Sequence, residues 1–262
     1  MSSAETTIVP RAMSPEAALA FLADYVPHRF PDADTALLAG STATGTAQPG
    51  SDLDLVIVYP KLDAGAWRTT ERADGVLIEA FVHDLGTLAY FLEDLDRASG
   101  LSTLANLVRD GLPVPGMPQR LLSDAKAMAD RVLALGPPAI DREAIDRRRY
   151  LITNLLDDLA GQRPSDERLA IATELHRALA DFVLRAAGKY GGNGKGIARA
   201  LAAHDAQFAS ALETATIEVL ASRGMSDLQR VVETALAPHG GLLMEGYTAH
   251  APAHWRRLPD SV

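Results

Sequence analysis

Three carboxylates in this chain are spaced as ligands for a hard cation. Asp52 and Asp54 open the apolar run Leu55-Val56-Ile57-Val58, which reads as a strand buried on both faces. Side chains two apart on a strand project from the same face, so this pair can share one or two divalent ions. Mg²⁺ favours such oxygen ligands, usually one or two carboxylates completed by water and substrate phosphate. Upstream, Leu37-Leu38-Ala39 runs into Gly40-Ser41, and a strand ending in a Gly/Ser turn offers backbone N–H groups to phosphates. The competing reading, a polar turn before a strand, leaves an ionised aspartate at the mouth of a buried strand, which is costly.

The third carboxylate is Glu79, set among apolar residues in Val76–Val82. That is a local contradiction unless something pairs with it. Either Glu79 faces solvent from an edge strand, or it lies beside Asp54 on a neighbouring strand and completes an acidic triad. Asp84, at the strand end, is the fallback third carboxylate, and His83 is read as a strand-end residue.

The order Gly40-Ser41 followed, twelve residues after the glycine, by Asp52-x-Asp54 resembles the signature of the nucleotidyltransferase superfamily that includes DNA polymerase β. The fuller run Gly40-Ser41-x-x-x-Gly45 to Ser51-Asp52-Leu53-Asp54-Leu55 is most similar to the small bacterial kanamycin- and streptomycin-type aminoglycoside nucleotidyltransferases. Ile78-Glu79-Ala80-Phe81-Val82-His83-Asp84 resembles the matching strand of the streptomycin type. The resemblance implies that Gly40, Ser41 and Ser51 hold the triphosphate and that Asp52, Asp54 and Glu79 bind Mg²⁺, as two ions. It also implies that Glu79 helps activate the acceptor. On the same grounds ATP is the donor, a nucleoside monophosphate passes to a hydroxyl of a small acceptor, and pyrophosphate leaves. Antibiotic modification is the matching biological role.

Composition is compatible with such an enzyme without implying it. The chain has 262 residues, enough for one large or two ordinary domains, and 47% hydrophobic content is normal for a globular protein. The absence of cysteine excludes disulfides, thiolate metal sites and a thiol nucleophile. A net charge of −9 argues against a phosphate-backbone partner and would suit a cationic small acceptor, although an acidic balance also serves mere solubility. No charged and apolar leader of the secretory type and no membrane-length apolar run is seen, so a cytoplasmic protein is expected.

The elements that must position these residues follow in order. A disordered leader of about a dozen residues precedes a helix capped by Ser14, with Pro15 at its first position. Ala18, Leu19, Phe21, Leu22 and Tyr25 form its stripe, and Pro27 and Pro31 end it. A strand over Thr35–Ala39, a short helix from Thr42–Gly45 and a turn at Gln48–Ser51 lead to the second strand. Lys61–Gly75 is a polar stretch before the third. Residues 85–135 read as helices broken at Gly100 and Gly111–Gly116, and Gly136-Pro137-Pro138 ends them. The expected fold is α+β. A nucleotidyltransferase core with a mixed sheet covers residues 1–135, and a helical-bundle domain covers residues 136–262.

Beyond the boundary the apolar period is 3.6. Ile145, Leu151, Ile152, Leu155, Leu156 and Leu159 line one helix, and Leu169, Ala172, Leu175, Leu179, Phe182, Val183 and Ala186 the next. Helices over about Gly196–Thr214 and Ser226–Leu236 complete an antiparallel bundle, before an irregular tail of about twenty residues. The glycine-rich loop from Lys189 to Gly196 departs from the P-loop pattern and reads equally as a connector. Its functional reading has Lys195, or Lys189, neutralise the β- and γ-phosphates. The resemblance supports a helical-domain lysine. It also leaves open a helical-domain carboxylate base, for which Asp157, Asp158 and Glu174 are candidates beside Asn154 and His176. A toxin–antitoxin partner that nucleotidylates or binds a helical toxin is the alternative function. Oligomeric state is not readable.

Overall fold

The computed structural model describes residues 12–255, and the chain divides into two compact units, Met1–Pro137 and Pro138–Val262. The leader expected over the first dozen residues lies outside the described residues, as does the end of the irregular tail.

In the first unit, helix α1 (Pro15–Arg29) starts where its capping residues dictate, with the Ser14 hydroxyl accepting from Ala17 N–H at 3.2 Å. It does not stop before Pro27. Proline forfeits one helical hydrogen bond there, but Val26 and Phe30 are both fully buried, and Phe30 N–H donates to Val26 O at 2.8 Å. Packing holds the last turn despite the proline.

Among the described residues the five strands are β1 (Thr35–Ala39), β2 (Leu53–Val58), β3 (Trp67–Ala73), β4 (Val76–His83) and β5 (Leu112–Pro113), in sheet order β3-β4-β2-β1-β5. Only β2 and β4 pair in parallel; the other neighbours are antiparallel. All five residues of β1 are buried, Thr35 included, which explains the unbroken apolar run from Ala36 to Ala39. One face of the sheet carries Ala36, Leu38, Leu55, Ile57, Ile78, Ala80 and Val82 and packs with Leu22 and Val26 of α1. The alternate residues point to the other face, where α3 (Leu85–Tyr90) packs on β4 and α4 (Thr103–Asp110) on β1. A π-helical segment, Phe91–Arg97, continues α3, and α5 (Leu122–Leu135) packs on α4.

Two strands depart from the sequence reading. The stretch Lys61–Gly75, read only as polar, contains β3, whose polar, largely exposed residues suit a sheet edge. The break at Gly111–Gly116 contains β5, two residues long.

The second unit is helical: α6 (Arg142–Ala160), α7 (Ser165–Ala186), α8 (Lys195–His204), α9 (Ala206–Leu220) and α10 (Ser226–Leu236). Ile152, Leu156, Leu175, Leu179, Phe182, Leu212 and Val232 are among its core residues. Leu151 and Leu169, expected in the stripes, are instead exposed at their helix surfaces. The single helix expected over Gly196–Thr214 is two. Asp205 ends α8 and caps α9 with its side chain, accepting from Phe208 N–H at 2.9 Å. Neither glycine nor proline marks that break.

Candidate active site

Because β2 and β4 run parallel, their N-terminal ends lie side by side. Leu53 pairs with Ile78 on the face packed by α1, and Asp54 pairs with Glu79 on the opposite face. Asp52 stands one residue before β2 rather than within it, and alternation returns it to the side of Asp54. The three half-buried carboxylates each offer an oxygen, and these lie within 4.8 Å of one another. Two unit charges ~4 Å apart repel by about 4 kcal/mol at an effective dielectric of ~20. A cluster of three hard oxygen donors so arranged fits a divalent cation of the Mg²⁺ kind.

Gly40 is fixed by this cluster. Its φ is +65°, and a Cβ there would overlap Asp54 Oδ2 and stand 2.7 Å from Asp54 Cγ. Only glycine lets the chain leave β1 in a left-handed turn against the carboxylate. Helix α2 (Gly40–Ala43) therefore begins at the glycine itself, two residues before the Thr42 start expected. Ser41 is half-buried, and its carbonyl accepts from Thr46 N–H at 2.8 Å. Ser51 closes the returning turn: its N–H donates to Gln48 O, and its hydroxyl oxygen accepts from Gln48 N–H, both at 2.9 Å. The Ser51 hydroxyl proton is still free to be donated to a ligand.

Glu79 has two partners that the sequence reading missed. Arg68 Nε donates to its Oε1 at 2.8 Å, Arg68 Nη2 makes a second, shorter bond to the same oxygen, and the Thr70 hydroxyl donates to it at 3.2 Å. The Arg68 guanidinium lies over the Phe81 ring, 4.8 Å from its centroid. Both partners come from β3, where Thr70 stands opposite Glu79 and Arg68 opposite Phe81. A signal for them was present. Asp74 and Gly75, both at positive φ, form a two-residue hairpin turn between Ala73 and Val76, and Asp-Gly between strand-like runs is a strong hairpin mark.

Asp84, the fallback third carboxylate, is not among the three clustered carboxylates. It caps α3, with Oδ1 accepting from Thr87 N–H at 2.7 Å and Oδ2 accepting from Leu62 N–H at 3.0 Å. Those backbone donors, Thr87 first, hold its carboxyl below the usual value. His83 is buried at the end of β4 against Phe91, and desolvation brings its pKa down to about 4. It is neutral near pH 7.

The first unit thus brings Gly40, Asp52, Asp54 and Glu79 together. The remaining candidates belong to the second unit. Lys189 and Lys195 are exposed at the two ends of the glycine-rich loop. A Cβ on Gly192 would come within 2.7 Å of Ile197 N, so the loop lies tightly on the start of α8. Asp158 accepts from Arg163 at 2.6 Å, and Glu174 accepts from Arg177 at 2.7 Å, which holds its carboxyl low. His176 shares a hydrogen bond with the Thr216 hydroxyl. Asp157 is exposed and Asn154 half-buried. Among the described residues no helix is long and apolar enough to cross a membrane.

No curated protein matches the chain. Among solved structures, a nucleotidyltransferase-like protein from Exiguobacterium sibiricum is similar at 11% identity over 86% of each chain, with a TM-score of 0.36. Residues 21–97 match the family described as nucleotidyltransferase domain, a span that holds Gly40, Ser41, Ser51, Asp52, Asp54 and Glu79 together with Arg68 and Thr70. The first unit, a mixed five-stranded sheet with flanking helices, thus carries the stretch that matches a nucleotidyltransferase domain.

Proposed function

We propose that the protein is a Mg²⁺-dependent nucleotidyltransferase that moves a nucleoside monophosphate from a nucleoside triphosphate to a hydroxyl of a small acceptor, releasing pyrophosphate. The observation that carries this reading is the pairing of Asp54 with Glu79 across parallel strands, with Asp52 close enough for all three to share an ion. Asp52, Asp54 and Glu79 would hold the metal, as two ions on the resemblance. A divalent cation there supplies charge neutralisation and Lewis acidity to phosphoryl oxygens. The turn at Gly40-Ser41, with Ser51, takes the triphosphate. Glu79 orients the acceptor hydroxyl and accepts its proton as the oxygen attacks the α-phosphorus and the bond to pyrophosphate breaks. ATP as donor and a cationic, aminoglycoside-like acceptor rest on the resemblance and on the acidic balance of the chain. The cytoplasm is the proposed compartment.

The test is a ligand-induced shift in melting temperature, because a ligand that binds only the folded protein stabilises it by mass action. Mg-ATP is expected to raise the melting temperature of the wild type. The double variant Asp52→Asn with Asp54→Asn is expected to keep the fold and lose the metal-dependent part of the rise. A full Mg²⁺-dependent rise in the double variant would place the ion elsewhere. Transfer of radiolabel from ATP to a panel of aminoglycosides and other hydroxylated acceptors then reads out the reaction.

For the second unit we propose that Lys195, rather than Lys189, contacts the β- and γ-phosphates. Lys195→Ala is expected to weaken ATP binding, measured by calorimetry, far more than AMP binding. Equal weakening of both nucleotides would return the loop to the role of a connector.

A further inference from the structure

The hydrogen bonds on Glu79 are lopsided. Arg68, through two nitrogens, and Thr70 all donate to Oε1. A carboxylate gripped on one oxygen by three donors has little freedom to rotate, and its second oxygen is committed to one direction. The grip is itself held, since Arg68 rests on the Phe81 ring and Thr70 stands opposite Glu79 in the β3–β4 ladder. The Glu79 side chain keeps only 15% of its surface exposed, whereas Arg68 keeps 61%. An ion pair with one partner so open adds little to fold stability, so the value of this pair has to lie elsewhere.

We propose that Arg68 and Thr70 are positioning residues: they fix Glu79 Oε1 so that Oε2 offers one lone pair to the metal held with Asp52 and Asp54 and keeps the other for the acceptor hydroxyl. Resting as it does on the metal-site reading above, this adds residues from a strand outside the acidic cluster. Partners that orient a metal-binding carboxylate typically govern metal affinity by about 10–100-fold. An arginine acting only as a counter-charge would do the reverse. Its removal would leave a more anionic cluster, and a divalent cation would bind more tightly.

These two roles predict opposite signs in one experiment. Mn²⁺ binding to the full chain is followed by the loss of the free-ion EPR signal, in the wild type and in Arg68→Met, Arg68→Lys, Thr70→Val, Thr70→Ser and Asp54→Asn. Circular dichroism and melting temperature establish that each variant is folded. Positioning predicts that Arg68→Met raises the Mn²⁺ dissociation constant about 10-fold or more. Arg68→Lys, which keeps the charge but not the two-nitrogen grip, should recover only part of that loss. Thr70→Val should weaken binding less than Arg68→Met, and Thr70→Ser should restore it. Unchanged or tighter binding in Arg68→Met overturns the proposal, as does full recovery by Arg68→Lys. Failure of the underlying site looks different: the wild type would bind no Mn²⁺, or Asp54→Asn would bind it as well as the wild type.

Discussion

Replacing Glu79 by glutamine is expected to cut pyrophosphate release in the presence of an acceptor by about 10²–10⁴-fold, the range that a positioned acid–base group contributes. Glutamine keeps the shape and can still accept from Arg68 and Thr70. It loses the charge that the metal needs and the basic oxygen beside the acceptor. Nucleotide binding should persist at raised Mg²⁺. The melting temperature should hardly move, because two small effects oppose each other. Removing one of three crowded carboxylates relieves repulsion, while the lost ion pair with the largely exposed Arg68 was worth little. Turnover within about threefold of the wild type, well outside the acid–base range, would exclude Glu79 from the chemistry. The base would then be sought among Asp157, Asp158 and Glu174.

Gly40→Ala is expected to remove metal binding while leaving the second unit intact. A left-handed alanine costs about 1–2 kcal/mol from backbone sterics alone. The larger consequence is spatial, because the new methyl group would occupy the place of Asp54 Oδ2. Either the Asp54 carboxylate swings away or the turn after β1 is displaced, and both disperse the triad. Mn²⁺ titration should show no saturable site, and the Mg-ATP shift in melting temperature should vanish. Gly45→Ala is the control. Its φ is also positive, +69°, but nothing lies within 4 Å of the added Cβ, so it should carry the backbone strain and keep the metal.

The legible part of the site was the part written in residue types that are costly out of place. Two aspartates at the mouth of a buried strand and a glutamate inside another are hard to accommodate without a partner. β1 was readable at both ends because all five of its residues are buried. What was not legible is the strand that supplies partners to Glu79. The β3 residues Trp67–Ala73 lie at the sheet edge, none fully buried and mostly polar, so their apolar content says nothing about pairing, and only Asp74-Gly75 marked the hairpin. The α8–α9 break was hidden for a related reason. It depends on one side-chain cap, Asp205, within a run whose helical periodicity does not lapse. Pro27 misled in the opposite direction, since a strong local breaker was overruled by the burial of Val26 and Phe30 on either side.

The borders of the sheet also bear on how the protein behaves when concentrated. An exposed edge strand displays unpaired backbone groups that a second chain could zip onto. At one border, β5 is two residues long and ends in Pro113, which has no N–H to give. At the other, β3 is longer but carries Arg68, Glu71 and Arg72, and Glu71 is drawn back toward α1 by Tyr25 and Arg29. A second copy docking strand to strand would have to strip water from both exposed arginines before gaining a backbone hydrogen bond. The arginine that steadies Glu79 thus also guards the rim of the sheet against fibre-like growth.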